Sequence, residues 1–264
     1  MRATRRATAI TVAVLLGLLL VTVASADHQW GRYKWKSASP VELTIGDNVT
    51  AEWDAHLGVA IADWDASDVL TLSEVPGGVG ADVENCTPAT GKIEVCNYDY
   101  GDNGWLGIAS IWIAKGKDIV KANARMNDHY FVNDGNYSVD ADNWRQLVMC
   151  QEIGHDFGLG HQDEDFDNAP LGTCMDYTVN PLTDADIHPN AHDYEQLTAM
   201  YGGGDGGGNG GGNGRGGGKP SFAPNPDAGE FGRAVGYDAS GRANVFEQDL
   251  GNGQKVLTHV FWTY

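Results

Sequence analysis

The segment CQEIGHDFGLGHQDED, at residues 150–165, constrains this chain more than any other part of it. If the residues before Gly158 are helical, Gln151 and His155 lie one turn apart on the same face. Glycine readily adopts the left-handed conformation that ends a helix, and a turn at Gly158 would bring His161 back toward His155. The spacing therefore predicts side chains that converge on one point, where a metal ion can be held.

Two interpretations of this segment are open. His155 and His161 could be ordinary polar residues at a helix end, as isolated histidines often are. Glu152 favours chemistry instead, because it lies beside Gln151 and could reach a water molecule on a metal held there. The coincidence of these residues at this spacing makes the metal site the stronger interpretation.

The segment resembles the long zinc motif of the metzincin peptidases, H-E-x-x-H-x-x-G-x-x-H, and differs only at its first position. Residues 30–201 are most similar to the matrixin-like members. The similarity extends to GTCMDY at residues 172–177, where Met175 corresponds to the methionine in a turn beneath the metal. The resemblance implies a zinc endopeptidase. The zinc ligands that it implies are Gln151, His155 and His161, and the catalytic residues are Glu152, as general base, and Tyr177.

Gln151 is the main departure from that family, because it stands where the motif has its first histidine. The amide oxygen of glutamine is as many bonds from Cα as Nε2 of histidine, and it is likewise neutral. It could reach a metal and leave intact the charge that lowers the pKa of bound water toward about 7. Zinc prefers nitrogen and sulfur donors, so we expect weaker zinc binding. A weak or inactive zinc-binding or protein-binding module is the alternative function.

A second departure lies in GWLGIA, at residues 104–109. Matrixins have a histidine on a structural zinc in this segment, and Ile108 occupies its place, so no second zinc is expected. Residues 104–113 correspond to the edge strand to which this family adds its substrate as a further strand. A plain apolar edge strand is the alternative.

The first 26 residues are typical of a cleaved secretory signal, with three arginines, an apolar run and then Ala-Ser-Ala. The apolar run is short for a membrane span, which needs about 20 residues. The net charge of the chain is −19, which argues against nucleic acid or an anionic membrane as a partner. We expect a secreted, extracellular monomer that acts on proteins or peptides.

Four cysteines in an exported chain predict two disulfides, for which three connectivities are possible. Proximity favours Cys86–Cys96, which leaves Cys150–Cys174. A zinc site of four cysteines is the alternative, but no C-x-x-C spacing supports it. A Cys150–Cys174 bridge would fasten the motif helix to the methionine turn and hold the site preorganised.

Hydrophobic periodicity and the resemblance together predict an α+β, metzincin-like catalytic domain at residues 27–201. It should contain a twisted mixed sheet of about five strands and three helices. The helices are expected at residues 50–67, from about 140 to 157, and at 188–201, and the strands include 41–49, 68–75, 104–113 and 118–127. Residues 97–104, rich in Asn, Asp and Gly, are expected to form a loop, either a plain turn or a weak calcium site.

Residues 202–218 are rich in glycine and are expected to form a flexible linker. Residues 219–264 are too few for an independent core and predict a small β tail. Because every implied ligand precedes the linker, we expect this tail to be dispensable for chemistry. The alternative is that its apolar residues pack back on the catalytic domain.

Overall fold

The computed structural model describes residues 28–203, apart from positions 134, 180 and 182, and residues 231–264. The predicted signal segment and most of the predicted linker lie outside these ranges, so both stay predictions, as do the domain boundaries. No helix in the described ranges is long and apolar enough to cross a membrane.

One mixed sheet contains all nine strands found in the described residues. The strands are β1 (Lys34–Trp35), β2 (Val41–Asn48), β3 (Leu70–Pro76), β4 (Ile93–Tyr98), β5 (Trp105–Ala114), β6 (Asp118–Asn127), β7 (Arg233–Tyr237), β8 (Ala243–Gly251) and β9 (Gln254–Trp262). Their order is β3-β2-β4-β6-β5-β9-β8-β7, with β1 also paired to β6. The predicted α+β class with a mixed sheet is confirmed: six of these strands lie in the predicted catalytic domain, where about five were expected, and three lie in the predicted β tail.

The helices lie before and after the pair β5–β6 in the chain. They are α1 (Ala51–Asp65), α2 (Asp128–Asn133), α3 (Gly135–Ser138), α4 (Ala141–Asp156) and α5 (Ala191–Tyr201), with a 3-10 helix at Asp184–Ile187. The three predicted helices correspond to α1, α4 and α5. Trp53, Leu57 and Trp64 are buried along α1 at the predicted helical spacing. The Trp64 indole donates a hydrogen bond to the backbone oxygen of Cys150, which ties α1 to α4.

The C-terminal strands continue the sheet of the main domain. Strand β9 lies between β5 and β8 and is antiparallel to both, with Trp105 opposite Trp262 and Ile113 opposite Lys255. The predicted edge at β5 is wrong, because β9 pairs along that side, and the apolar residues of the tail pack against the main domain, which is the alternative left open by the sequence. The reason is that β5 is buried over most of its length, and buried backbone groups need partners on both sides. The sequence places the second partner far along the chain, beyond the glycine-rich segment.

A second apolar cluster, separate from the main core of the protein, holds the C-terminal strands to β5. Its buried members are Trp105, Ile108, Phe231, Ala243, Phe246, Val260 and Trp262. The indole of Trp262 also donates to the backbone oxygen of Ala243 over 2.7 Å. Ile108 therefore packs in a core that is formed jointly by the main domain and the C-terminal strands.

Both predicted disulfides are confirmed. Cys86 is bonded to Cys96, and Cys150 is bonded to Cys174, so the described cysteines leave no free thiol. The second bridge joins α4 to the turn that carries Met175, as predicted.

Candidate metal centre

The end of α4 brings the two histidines of the motif together. Gly158 has a φ of +90°, in the left-handed region that favours glycine. A Cβ atom at Gly158 would collide with the backbone oxygen of Tyr33, so the turn is also closely packed. The chain reverses here, and Nε2 of His155 lies 3.0 Å from Nε2 of His161.

The other ring nitrogens of these two histidines are already engaged. Nδ1 of His155 lies 2.8 Å from the backbone oxygen of Leu159 and must donate to it, because a carbonyl oxygen only accepts. Nδ1 of His161 lies 3.0 Å from Oε1 of Glu164. Burial acts to raise the pKa of Glu164, but the hydrogen bond and charge of His161 prevail and lower it. The ionised carboxylate thus accepts the Nδ1 proton of His161.

If each ring carries its one proton at Nδ1, two Nε2 lone pairs face each other across 3.0 Å. Such an arrangement is repulsive unless a proton or a metal cation lies between the two atoms. Two imidazole nitrogens on one tetrahedral zinc ion would be about 3.3 Å apart, given Zn–N bonds of about 2.0–2.1 Å. Partners that orient each ring through its remote nitrogen are also typical of metal-binding histidines. The pair therefore fits a zinc ion well.

A third histidine, His259, reaches the same point from β9. One ring nitrogen of each of His155, His161 and His259 lies within 4.8 Å of the others, so the three could hold a metal ion together. We call them the histidine cluster. His259 is fully buried, and burial, followed by the charges of the other two histidines, lowers its pKa well below the ordinary value. Burial likewise lowers the pKa of His155 well below its ordinary value.

No sequence motif marks His259 as a site residue. The available signal was a single histidine within VLTHVFW, an otherwise mostly apolar strand of the C-terminal segment. A histidine on a buried strand needs polar partners, and here they come from the motif helix and the methionine turn. No pattern within the segment itself identifies those partners.

The Gln151 side chain is anchored to the methionine turn. Its amide nitrogen donates to the backbone oxygen of Cys174 over 2.7 Å and to that of Asp176 over 3.3 Å. The residue is fully buried, and its Oε1 atom has no hydrogen-bond partner among the described residues. The amide orientation is thus fixed by its nitrogen, while its oxygen is free to accept. Ligation of a metal by Gln151 stays a prediction.

Glu152 lies against both β5 and β9. Its Oε2 atom is 3.3 Å from Nδ1 of His259, and a Cβ atom at Gly107 would meet its side chain at 2.9 Å. The carboxyl group is fully buried, which raises its pKa well above the ordinary value, with a smaller opposing effect from the backbone of Ala109. The predicted general base is therefore next to the histidine cluster.

Tyr177 is also beside the cluster. Its hydroxyl oxygen lies 2.9 Å from Nε2 of His259 and accepts a hydrogen bond from the Asn244 amide, also over 2.9 Å. Burial, with the Glu164 carboxylate nearby, raises the pKa of Tyr177 well above its ordinary value, so the phenol is neutral. A tyrosine expected near the metal is thus near a histidine of the cluster.

The methionine turn lies beneath α4. A Cβ atom at Gly154 would meet Sδ of Met175, so only a residue without a side chain lets the turn approach this closely. The backbone oxygen of Met175 accepts from the backbone N–H of Gln162 over 2.7 Å. The resemblance placed Met175 under the metal site, and its contact with the motif helix is consistent with that role.

The histidine cluster is the one group of three or more His, Cys, Asp or Glu side chains, among the described residues, that could hold a metal. Nothing in these residues supports the calcium site considered for residues 97–104. That segment begins at the end of β4 and continues as a loop up to β5.

No model of a known protein family matches this chain, and no curated protein matches it. Among solved structures, myroilysin is similar at 13% identity with a TM-score of 0.38, over 64% of this chain and 82% of that one. High choriolytic enzyme 1, a hatching enzyme zinc-protease from the medaka fish Oryzias latipes, is similar at 12% identity with a TM-score of 0.35, over 64% of this chain and 94% of that one. Similarity this distant carries no weight for function, and the matrixin-like resemblance stays a prediction.

Proposed function

We propose that this protein is a secreted zinc-dependent endopeptidase, with His155 and His161 as metal ligands, Glu152 as the general base and Tyr177 as an auxiliary catalytic residue. The observation that carries the proposal is the 3.0 Å approach of the two Nε2 atoms while both Nδ1 protons are engaged elsewhere. This arrangement favours a cation between the rings. Imidazole nitrogens are donors that zinc prefers.

The bound metal would supply a Lewis acid that polarises a peptide carbonyl and lowers the pKa of a coordinated water toward about 7. The chain's own residues supply the remaining functions. Glu152, beside the cluster, would take a proton from the water and pass it to the leaving amine. Because Leu159 and Glu164 hold the two rings through Nδ1, the ligands would keep their orientation during the reaction.

Tyr177 would assist through its hydroxyl. The phenol is neutral and is held in place by Asn244, so it can donate to an oxygen on which negative charge develops. Its ring packs against Phe166, with the ring centroids 4.6 Å apart, and this contact limits its movement. Both features suit a residue that stabilises a transition state.

The restricted access of a substrate to this site favours a second candidate function. Strand β9 occupies the side of β5 to which the resemblance assigns the substrate peptide, and both Glu152 of α4 and His259 of β9 itself are fully buried. A peptide cannot add to β5 in this arrangement. A metal-stabilised binding module without peptidase activity therefore remains the alternative, and the contact between Glu152 and His259 is the observation that favours it.

Metal analysis combined with a cleavage assay tests the proposal. The purified secreted chain should contain about one zinc per molecule and should cleave casein or a quenched-fluorescence peptide library. Treatment with 1,10-phenanthroline should abolish cleavage, and added zinc should restore it. A chain that binds zinc but cleaves nothing would support the second candidate, whereas a chain that binds no zinc would contradict both.

A further inference from the structure

We propose that His259 is the third ligand of the metal, replacing the motif histidine that Gln151 displaced, so that both parts of the chain build one site. The proposal rests on the function proposed above. It assigns a new role to the C-terminal segment, which would be part of the metal centre. It also assigns Gln151 a positioning role in the methionine turn.

The two strands that flank β9 fix the position of His259. Within β9, His259 is opposite Ala109 of β5 and Val245 of β8, so two neighbouring strands define its position. On either side of it, Thr258 reaches the Ser110 hydroxyl at 3.1 Å, and Val260 is buried in the second apolar cluster. A ligand on a central, paired strand is preorganised, as a metal site requires.

Further residues of the C-terminal segment orient the rest of the site. Asn244 donates to the Tyr177 hydroxyl over 2.9 Å and to Oε1 of Glu164 over 3.4 Å. Glu164 is the residue that holds His161 through its Nδ1 atom. The backbone N–H of Ala239 also donates to the backbone oxygen of Glu164. The segment therefore supplies both a candidate ligand and the partners that orient another ligand.

Gln151 is the rival third ligand. Its amide nitrogen donates to two backbone oxygens of the methionine turn, and its Oε1 atom has no partner among the described residues, but this atom is a neutral oxygen donor, which zinc prefers less than an imidazole nitrogen. Three histidines, in contrast, form one of the ordinary ligand sets of catalytic zinc and leave a fourth position for water. To bind the metal, His259 would exchange one present contact of its ring for it, either Nδ1 with Glu152 at 3.3 Å or Nε2 with the Tyr177 hydroxyl at 2.9 Å. The donor chemistry thus favours His259 over Gln151.

The decisive test is metal affinity in the full-length chain and its variants. We expect His259→Ala to weaken zinc binding about 100-fold or more, because loss of a partner that only orients a ligand costs about 10–100-fold. Gln151→Ala should weaken it less than tenfold. His56→Ala, at a partly buried histidine of α1 that lies outside the cluster, is the matched control and should leave affinity unchanged. Competition with a chromophoric chelator measures each dissociation constant.

A rescue variant adds a readout that a merely structural role for His259 would not produce. If the two positions exchange one ligand, Gln151→His combined with His259→Ala should recover most of the lost affinity. If instead His259→Ala binds zinc as tightly as the unchanged chain while Gln151→Ala does not, Gln151 is the ligand and the proposal is wrong.

A measurement on the unchanged chain covers the case in which His259→Ala does not fold. Two-dimensional ¹H–¹⁵N spectra that correlate imidazole nitrogens with ring protons should show three of the eight histidines shifting on zinc addition. Two shifting histidines would overturn the proposal and leave the proposed function standing. None shifting would contradict the proposed function itself.

Discussion

The side-chain amide of Asn244 donates a hydrogen bond over 2.9 Å to the hydroxyl of Tyr177, which lies 67 residues earlier in the chain. Asn244 belongs to β8, in the C-terminal segment, and Tyr177 follows the methionine turn. Both side chains are buried. The contact connects the C-terminal segment to the part of the site that the family resemblance predicted.

Replacing Asn244 with alanine should therefore disturb the site as well as the fold. Removal of a buried hydrogen-bond donor costs about 1–3 kcal/mol, because the Tyr177 hydroxyl and the Glu164 carboxylate lose a partner. We also expect zinc affinity to fall by about 10-fold or more, as for other partners that orient ligands. Urea unfolding and chelator competition measure the two effects. Asn85→Ala, at an exposed position, is the control and should change neither.

Glu152→Gln should abolish peptide cleavage and leave zinc binding nearly unchanged. The amide matches the carboxyl group in shape but cannot take up a proton from water. A cleavage assay and metal analysis of the same preparation check this result. Glu42→Gln, at an exposed position of β2, should cleave at the unchanged rate. Cleavage by the Glu152 variant at the rate of the unchanged chain would eliminate Glu152 as the base.

A chain that ends at residue 201 should lose stability and metal affinity together. The truncation removes Val256, Leu257, Val260, Phe261 and Trp262, all buried. Burial of a large apolar side chain contributes about 1.5–3 kcal/mol, so their loss is on the order of 10 kcal/mol, comparable to the stability of a whole domain. We expect no cooperative unfolding transition from the truncated chain. Equal thermal midpoints for the two chains would instead support a tethered module.

Gly158→Ala should destabilise the protein by about 2 kcal/mol or more. The substitution places a side chain in the left-handed region and against the backbone oxygen of Tyr33. Gly58→Ala is a contrasting control, because a Cβ atom at that position in α1 meets nothing within 4 Å. It should stabilise the protein by about 0.5–1 kcal/mol, since alanine is the better helix residue. Thermal unfolding should show the two midpoints moving in opposite directions.

The sequence predicted those parts of the site that are close together in the chain. The spacing of His155, Gly158 and His161 indicated a helix, its end and a convergent pair, and the structure has all three. Local spacing sufficed because helical geometry relates residues four apart. The two disulfides were predicted equally well, because few connectivities were available.

The sequence could not predict the contribution of His259. Its approach to the cluster depends on which strand pairs with β5, and the pairing of strands distant in sequence is set by tertiary packing. The apolar pattern of residues 104–113 indicated a strand correctly but did not identify its second neighbour. The apolar residues of the C-terminal tail left packing against the catalytic domain open, and only the sheet order shows that β5 is the partner strand.

The pairing of β5 with β9 also has a consequence for the order of folding events. Ser110 and Thr258, which face each other across this pair, are 148 residues apart in sequence. Contacts of such long range form slowly, because the entropy of closing a large loop is lost before the contacts repay it. We therefore expect the local turn that joins His155 and His161 to form early in folding. His259 should reach its native position late, when β9 pairs with β5. Metal capture would then report the completion of folding.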